Sequence, residues 1–109
     1  MALLRIEDND DALMVHFNDA KILDEGTILS TGKELLEVMD RASSEKMMVL
    51  NFEKVQFMSS AMIGKLVLLN KKAKANNVDL RMRNINPNVY EVFKLTRLNK
   101  IFKIETDGG

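Results

Sequence analysis

Two adjacent hydroxyls, Ser59 and Ser60, carry most of the chemistry this sequence offers. They stand where the apolar segment ending in Phe57-Met58 gives way to the periodic run Ala61-Met62-Ile63-Gly64. A helix that begins there leaves backbone N–H groups unpaired and carries a partial positive charge at its start. A serine at that point either caps the helix through its Oγ or presents the hydroxyl for modification, because a phosphate there meets free N–H donors. Gly64 follows four residues after Ser60, on the same helical face. A glycine inside a helix costs ~1 kcal/mol relative to alanine. Two readings are open for it: room for another protein to approach the Ser60 hydroxyl, or tight packing against the protein's own sheet.

Other chemistry is sparse. A nucleophilic serine needs a base, and the one histidine, His16, falls on a predicted strand, where an ordinary surface or half-buried role is expected. Gly-x-Ser-x-Gly is missing around Ser60. Gly26, Gly32 and Gly64 are isolated, so no glycine-rich phosphate loop is formed. No histidine-based metal motif is present, and the absence of cysteine rules out thiolate zinc sites and disulfides. Asp8, Asp10 and Asp11 crowd a turn and read as turn residues. No cofactor, metal or catalytic residue is expected.

The elements that must hold the serines follow from periodicity. Leu4 and Ile6, then Leu13, Val15 and Phe17, alternate with polar residues on either side of Asn9-Asp10-Asp11 and predict a hairpin. Asn18 to Gly26 reads as a loop. A helix is expected from about Thr27 to Arg41, capped by Asp24 or Thr27, with Ile28, Gly32, Leu35, Leu36 and Met39 inward and Ser43-Ser44-Glu45 as its stop. Met47 to Phe52 reads as a strand buried on both faces, and Glu53 to Met58 leads to the serines. The second helix is expected over about Ser60–Ala75, with Ile63, Leu66, Val67 and Leu69 inward, Lys65, Lys71, Lys72 and Lys74 in water, and Asn76-Asn77 at its end. Val78 to Met82 is another strand. Asn86-Pro87 starts a short helix with Val89, Val92 and Phe93 inward. Leu98 reads as an apolar plug, Ile101 to Ile104 as the last strand and Glu105 to Gly109 as a frayed tail. The order β-β-α-β-α-β-α-β predicts a single α/β domain over residues 1–109, with a mostly parallel, mixed sheet of about five strands and helical crossovers.

Composition narrows the class. The 109 residues suit one domain, with 46% hydrophobic and 29% charged residues. Sixteen basic residues balance sixteen acidic ones, which argues against nucleic acid as a direct partner. No apolar run approaches the ~18 residues of a membrane span, and Met1 to Glu7 has no basic leader before an apolar core, so a cytoplasmic protein is expected. Eight methionines are many for this length. Met47, Met48 and Met82 read as core or half-buried strand residues, whereas Met58 and Met62 flank the serines and are interface candidates.

At this point the chain resembles a STAS domain of the bacterial anti-sigma-factor antagonist family, over nearly its whole length. One mark is the strand–loop–helix unit Val49-Leu50-Asn51-Phe52 and Val55-Gln56-Phe57-Met58-Ser59-Ser60-Ala61-Met62-Ile63-Gly64. The family's version has a hydrophobic strand, Asp, and later Asp-Ser-Ser/Ala-Gly-Leu-Gly. The other is Val89 to Phe102, similar to the family's terminal helix, Leu-Thr-x-Leu turn and last strand. Here Ser59 stands for the family's Asp, Met62 for its first Gly and Asn51 for its strand Asp.

The resemblance implies an interaction module rather than an enzyme. Such antagonists bind an anti-sigma factor that is also a serine kinase, so freeing the sigma factor for transcription, for instance in a stress response. The kinase then phosphorylates the antagonist and ends the complex, and a PP2C-type phosphatase resets it. Alignment on Phe57-Met58 and Gly64 puts Ser60 at the phosphorylated position, with Ser59 as cap and rival acceptor. The implied partner-facing set is Asp24, Met58, Ser59, Ser60, Ala61, Met62, Gly64 and Lys65. The alternative is a non-phosphorylated STAS module in another signalling or transport-associated complex. A small enzyme or nucleotide-binding protein is a third reading, weakened by the missing motifs.

Overall fold

The computed structural model describes residues 3–9, 11–42 and 47–105. The chain runs β1 (Leu4–Asp8), β2 (Ala12–Phe17), β3 (Lys21–Ile22), α1 (Glu25–Arg41), β4 (Met47–Asn51), β5 (Phe57–Met58), α2 (Ser60–Ala75), β6 (Asp79–Arg83), α3 (Pro87–Leu95) and β7 (Lys103–Glu105). A five-stranded sheet has the order β1-β2-β4-β6-β7. Only the β1–β2 hairpin is antiparallel; β2–β4, β4–β6 and β6–β7 are parallel. The expected α/β class and mixed, mostly parallel sheet are observed. The parallel strands step across the sheet in one direction, so right-handed crossovers stack α1, α2 and α3 on one face.

That face holds the core. Alternation in β2 and β6 sends Leu13, Val15, Phe17, Leu80 and Met82 inward, against Leu35 and Met39 of α1, Leu66 and Leu69 of α2, and Phe93 of α3. Each fully buried side chain of this kind contributes roughly 1.5–3 kcal/mol of transfer free energy. Phe17, Phe52, Phe93 and Phe102 form a chain of ring contacts, with centroids 4.7, 6.5 and 5.5 Å apart, linking β2, the end of β4, α3 and the approach to β7.

Among the described residues the opposite face carries no helix. Arg5, His16, Asn51, Arg83 and Glu105 stand in one register row across it, and Glu7, Met14, Val49, Arg81 and Lys103 in the next. Ion pairs knit it together: Arg83 Nε to Glu105 Oε2 at 2.8 Å, Arg81 to Asp79 at 3.0 Å and Lys103 Nζ to Asp79 Oδ1 at 2.9 Å. Long charged side chains lie over the sheet, so Val49 is fully buried on this side while their heads stay wet. β4 is thus buried on both faces, as expected.

Element ends explain themselves through caps. Asn86 Oδ1 accepts from the Val89 N–H at 2.8 Å, with Pro87 at the first helical position. α2 ends as expected at Asn76-Asn77. Asn77 takes φ 58°, and the Val78 and Asn77 N–H groups return to the Ala73 and Lys74 carbonyls. Several boundaries differ from expectation: β4 ends at Asn51 rather than Phe52, and β6 runs Asp79–Arg83 rather than from Val78 to Met82. α1 starts at Glu25 rather than Thr27, because Asp24 is the cap. β7 begins at Lys103, with Ile101 in a turn, and Glu105 belongs to the strand rather than to a frayed tail. The regions expected to be plain connections, Asn18–Gly26 and Glu53–Met58, contain β3 and β5, which pair in parallel as a separate small sheet. The expectations for Asp10, for Ser43-Ser44-Glu45 and for the tail beyond Glu105 lie outside the described residues.

Candidate partner-binding site

The small sheet brings the candidate residues together. Lys21 pairs with Phe57 and Ile22 with Met58. The Gln56 and Phe57 N–H groups both donate to the Ala20 carbonyl, at 2.7 and 3.0 Å, and the Ser59 N–H donates to the Ile22 carbonyl at 3.0 Å. Ile22 and Met58 are the anchors, 0% and 4% exposed. Each strand then hands over directly to a helix: Ile22 to α1 through Asp24, Met58 to α2 through Ser59. Both helix N-termini therefore open at the same end of the molecule. The loop beneath is pinned by Asn86 Nδ2, which donates to the Val55 carbonyl at 2.9 Å.

The two helix starts differ. Asp24 Oδ2 accepts from the Thr27 N–H at 2.9 Å. Hydrogen bonding by Thr27, through its side chain first and then its backbone N–H, holds the Asp24 carboxyl below its ordinary value. α2 has no side-chain cap and no acid in its first turn. Ser59 has the extended backbone of an N-cap (φ −83°, ψ 159°), and its carbonyl accepts from the Met62 N–H at 3.1 Å. Its Oγ, however, is buried and makes no hydrogen bond. The expectation that Ser59 caps α2 through its side chain is thus corrected. The ladder bond to Ile22 has fixed the backbone, and the hydroxyl is turned inward.

Ser60 is exposed at the first helical position, and Ala61 and Gly64 are exposed beside it. Gly64 does not pack on the sheet: a Cβ built there meets no heavy atom within 4 Å. The glycine under close packing is Gly32, where an added Cβ would stand 3.1 Å from Lys65 Cγ and Cδ. Lys65 is consequently half-buried, its stem lying across α1, and Lys72 pairs with Asp40 of α1 at 2.6 Å. These two lysines stitch the helices together rather than forming a wet face. Met58 and Met62 are corrected as interface candidates: at 4% and 0% exposure both fill the core and offer no side chain to a partner.

The sequence reading missed Leu23, Leu29, Phe57 and Leu68, which are large, apolar and exposed. Leu23, Ile28 and Leu29 from the α1 side and Ser59, Ala61 and Lys65 from the α2 side line an open groove of about 480 Å³. The signal for Leu68 was present: Val67-Leu68-Leu69 is too wide a run for one helical stripe. The exposed ridge Ser60, Ala61, Gly64, Leu68 carries no charge.

His16 is remote from this chemistry, on the open face of the sheet. Its Nδ1 lies 3.1 Å from Asn51 Nδ2, while Asn51 Oδ1 accepts from the Glu53 N–H and from Asn84 Nδ2, each at 3.0 Å. With Oδ1 committed twice, the amide presents its donor to Nδ1, which fixes His16 as an acceptor at that nitrogen. Among the described residues no group of three or more His, Cys, Asp or Glu could hold a metal ion, and no helix is long and apolar enough to cross a membrane.

Residues 4–107 match the STAS domain. The chain belongs to the STAS domain family, whose members are non-catalytic regulatory modules. Its fold is shared with an anti-sigma-factor antagonist (STAS) domain protein from Planctomyces limnophilus, at TM-score 0.84 and 18% identity over 99% of this chain and 92% of that one. It is shared with the anti-sigma factor antagonist SpoIIAA in its unphosphorylated form, at TM-score 0.73 and 16% identity over 95% and 89%. It is shared too with the Bacillus cell fate determinant SpoIIAA in its phosphorylated form, at TM-score 0.65 and 14% identity over 95% and 92%.

Proposed function

We propose that this chain is a cytoplasmic anti-sigma-factor antagonist that works by partner switching. It binds an anti-sigma factor of the serine-kinase type through the exposed start of α2 and the neighbouring cap of α1, and so regulates transcription. Phosphorylation of Ser60 ends the complex and a PP2C-type phosphatase restores it. The observation that carries this reading is the contrast between the two hydroxyls: Ser60 is exposed, whereas Ser59 Oγ is buried. A kinase can reach the first and not the second. Asp24, Ala61, Gly64 and Lys65 complete the contact surface, with Leu23 and Leu29 in the adjoining groove. Relatives with the same fold include SpoIIAA in both unphosphorylated and phosphorylated forms.

A phosphate adds about 1.5–2 negative charges at neutral pH. At the first residue of α2, with no acid in the turn, that charge meets the positive end of the helix, so the fold tolerates it. Against an uncharged ridge pressed onto a partner, the same charge must be desolvated, so binding does not tolerate it. The test pairs a pull-down with a melt. Ser60→Asp is expected to lose the kinase-type partner while its melting temperature stays within a degree or two of wild type, at the order of a few tenths of a kcal/mol. Equal capture of both proteins sinks the switch. Mass spectrometry after incubation with the host's serine kinases checks the modification itself. Phosphate on neither Ser59 nor Ser60 would favour a STAS interaction module that works without phosphorylation.

A further inference from the structure

The turn between α3 and β7 is a second exposed surface, unrelated to the serine site. Residues 92–104 contain Lys94, Arg97, Lys100 and Lys103 and no acid, in a chain whose overall charge is zero. Backbone bonds fold the segment tightly. The Leu98 N–H returns to the Phe93 carbonyl at 3.0 Å, the Arg97 N–H to Lys94 at 2.9 Å and the Ile101 N–H to Leu98 at 3.1 Å. Thr96 Oγ1 donates within reach of the Val92 and Phe93 carbonyls, each at 3.0 Å. The inner side rests on Phe93 and Phe102, whose rings meet edge to face. The outer side presents Lys94, Leu95, Arg97, Lys100 and Ile101, all exposed. Leu95, at 79%, is the most exposed large apolar residue described.

Arg97 sits at φ 59°, the left-handed position that closes a helix in this way and favours glycine. A cation is held there against the backbone's preference, and neither Arg97 nor Lys100 has an ion-pair partner among the described residues. Lys94 has only a 3.5 Å contact with Glu91, and Lys103 turns away to Asp79. The turn therefore combines unneutralised cations with protruding apolar side chains on a rigid base.

We propose that this turn docks on an anionic lipid surface. Cations beside exposed aliphatic tips complement a layer of lipid phosphates over hydrocarbon, where the cations stay at the headgroups and Leu95 and Ile101 enter below them. A jutting side chain suits a deformable surface better than a folded acidic partner, which would have to supply a matching recess. Nucleic acid is disfavoured because its phosphate backbone offers no apolar counterpart to the protruding Leu95 and Ile101, and a single strand finds no aromatic ring for stacking on this outer side.

The test is co-sedimentation of the whole chain with vesicles of phosphatidylcholine, with and without phosphatidylglycerol. Binding is expected only to the anionic vesicles and is expected to fall with added salt. Arg97→Gly combined with Lys100→Gln should lower the partition coefficient about thirtyfold, at roughly fivefold per cation. The glycine also relieves the left-handed backbone, so this variant folds at least as well as wild type and a loss cannot be blamed on unfolding. Leu95→Ser should weaken binding several-fold at every salt concentration. Equal partition of wild type and the double variant, no binding to anionic vesicles, or equal binding to soluble polyglutamate overturns the proposal.

Discussion

Replacing Gly64 by alanine separates the folding role of that residue from its surface role. Gly64 is the fifth residue of a sixteen-residue helix, so it lies in the helix interior, where intrinsic propensity counts in full. A Cβ there meets nothing within 4 Å, so neither clash nor new packing enters the sum. What remains is the entropy that glycine loses on becoming helical, roughly 0.5–1 kcal/mol in favour of alanine. For a domain of this size that raises the melting temperature by about 2–6 °C. Thermal melts followed by far-ultraviolet circular dichroism, with urea titration as a second measure, read the change directly. If the ridge Ser60, Ala61, Gly64 and Leu68 meets a partner, the more stable variant also binds that partner less well, because the methyl group stands where the partner approaches. A melting temperature that is unchanged or lower would refute the reasoning about open space around Gly64.

Ser59→Ala should leave stability unchanged or raise it, by up to about 1 kcal/mol, because the buried Oγ has no bond to lose and its desolvation is uncompensated; a capping serine would instead cost about 1 kcal/mol, and a loss of that size in urea would restore the cap. Asn51→Asp keeps the two bonds accepted by Oδ1 but turns a carboxylate oxygen toward His16 Nδ1. The neutral ring then keeps the contact only as the tautomer with its proton on Nδ1, so imidazole nitrogen chemical shifts should show Nδ1 as donor in the variant and as acceptor in wild type. The Asp79 carboxyl is held below its ordinary value by Arg81 and then Lys103, and Glu105 by Arg83. Depressed carboxyls contribute stability that is complete above the unfolded carboxylate range and is lost as pH falls through the folded values. Glu105→Gln should flatten the fall in urea midpoint below about pH 4, and an unchanged acid limb counts against the network.

Where one local rule dominates, the sequence was legible. Asn86-Pro87 places the start of α3 to the residue, and the Asn76-Asn77 stop and the α2 span follow from caps and periodicity. The misreadings share a cause: they depend on contacts between distant segments. β3 and β5 are two residues each, too short for any period, and exist because Ala20 and Ile22 accept bonds from residues 56, 57 and 59. That same ladder pins the Ser59 backbone and turns its hydroxyl in. Met58 and Met62 looked like partner contacts from their place beside the serines, but their burial is set by strands and helices not adjacent in sequence. Lys65 read as solvated because only the fold reveals that Gly32 leaves room for its stem. At the site, then, the position of Ser60 was readable, whereas the groove around it was not.

The β3–β5 ladder also limits how this protein can diverge. Its bonds run between backbone groups, so nearly any side chain can occupy Lys21 or Phe57 without breaking them. Length is another matter. Only Leu23 separates Ile22 from the cap at Asp24, and nothing separates Met58 from the cap at Ser59. One inserted or deleted residue in either stretch would rotate one helix start relative to the other and flip an anchor from core to surface. Loops ordinarily accept insertions and resist little else. These two connections should show the reverse over evolutionary time, drifting in composition while holding their residue count.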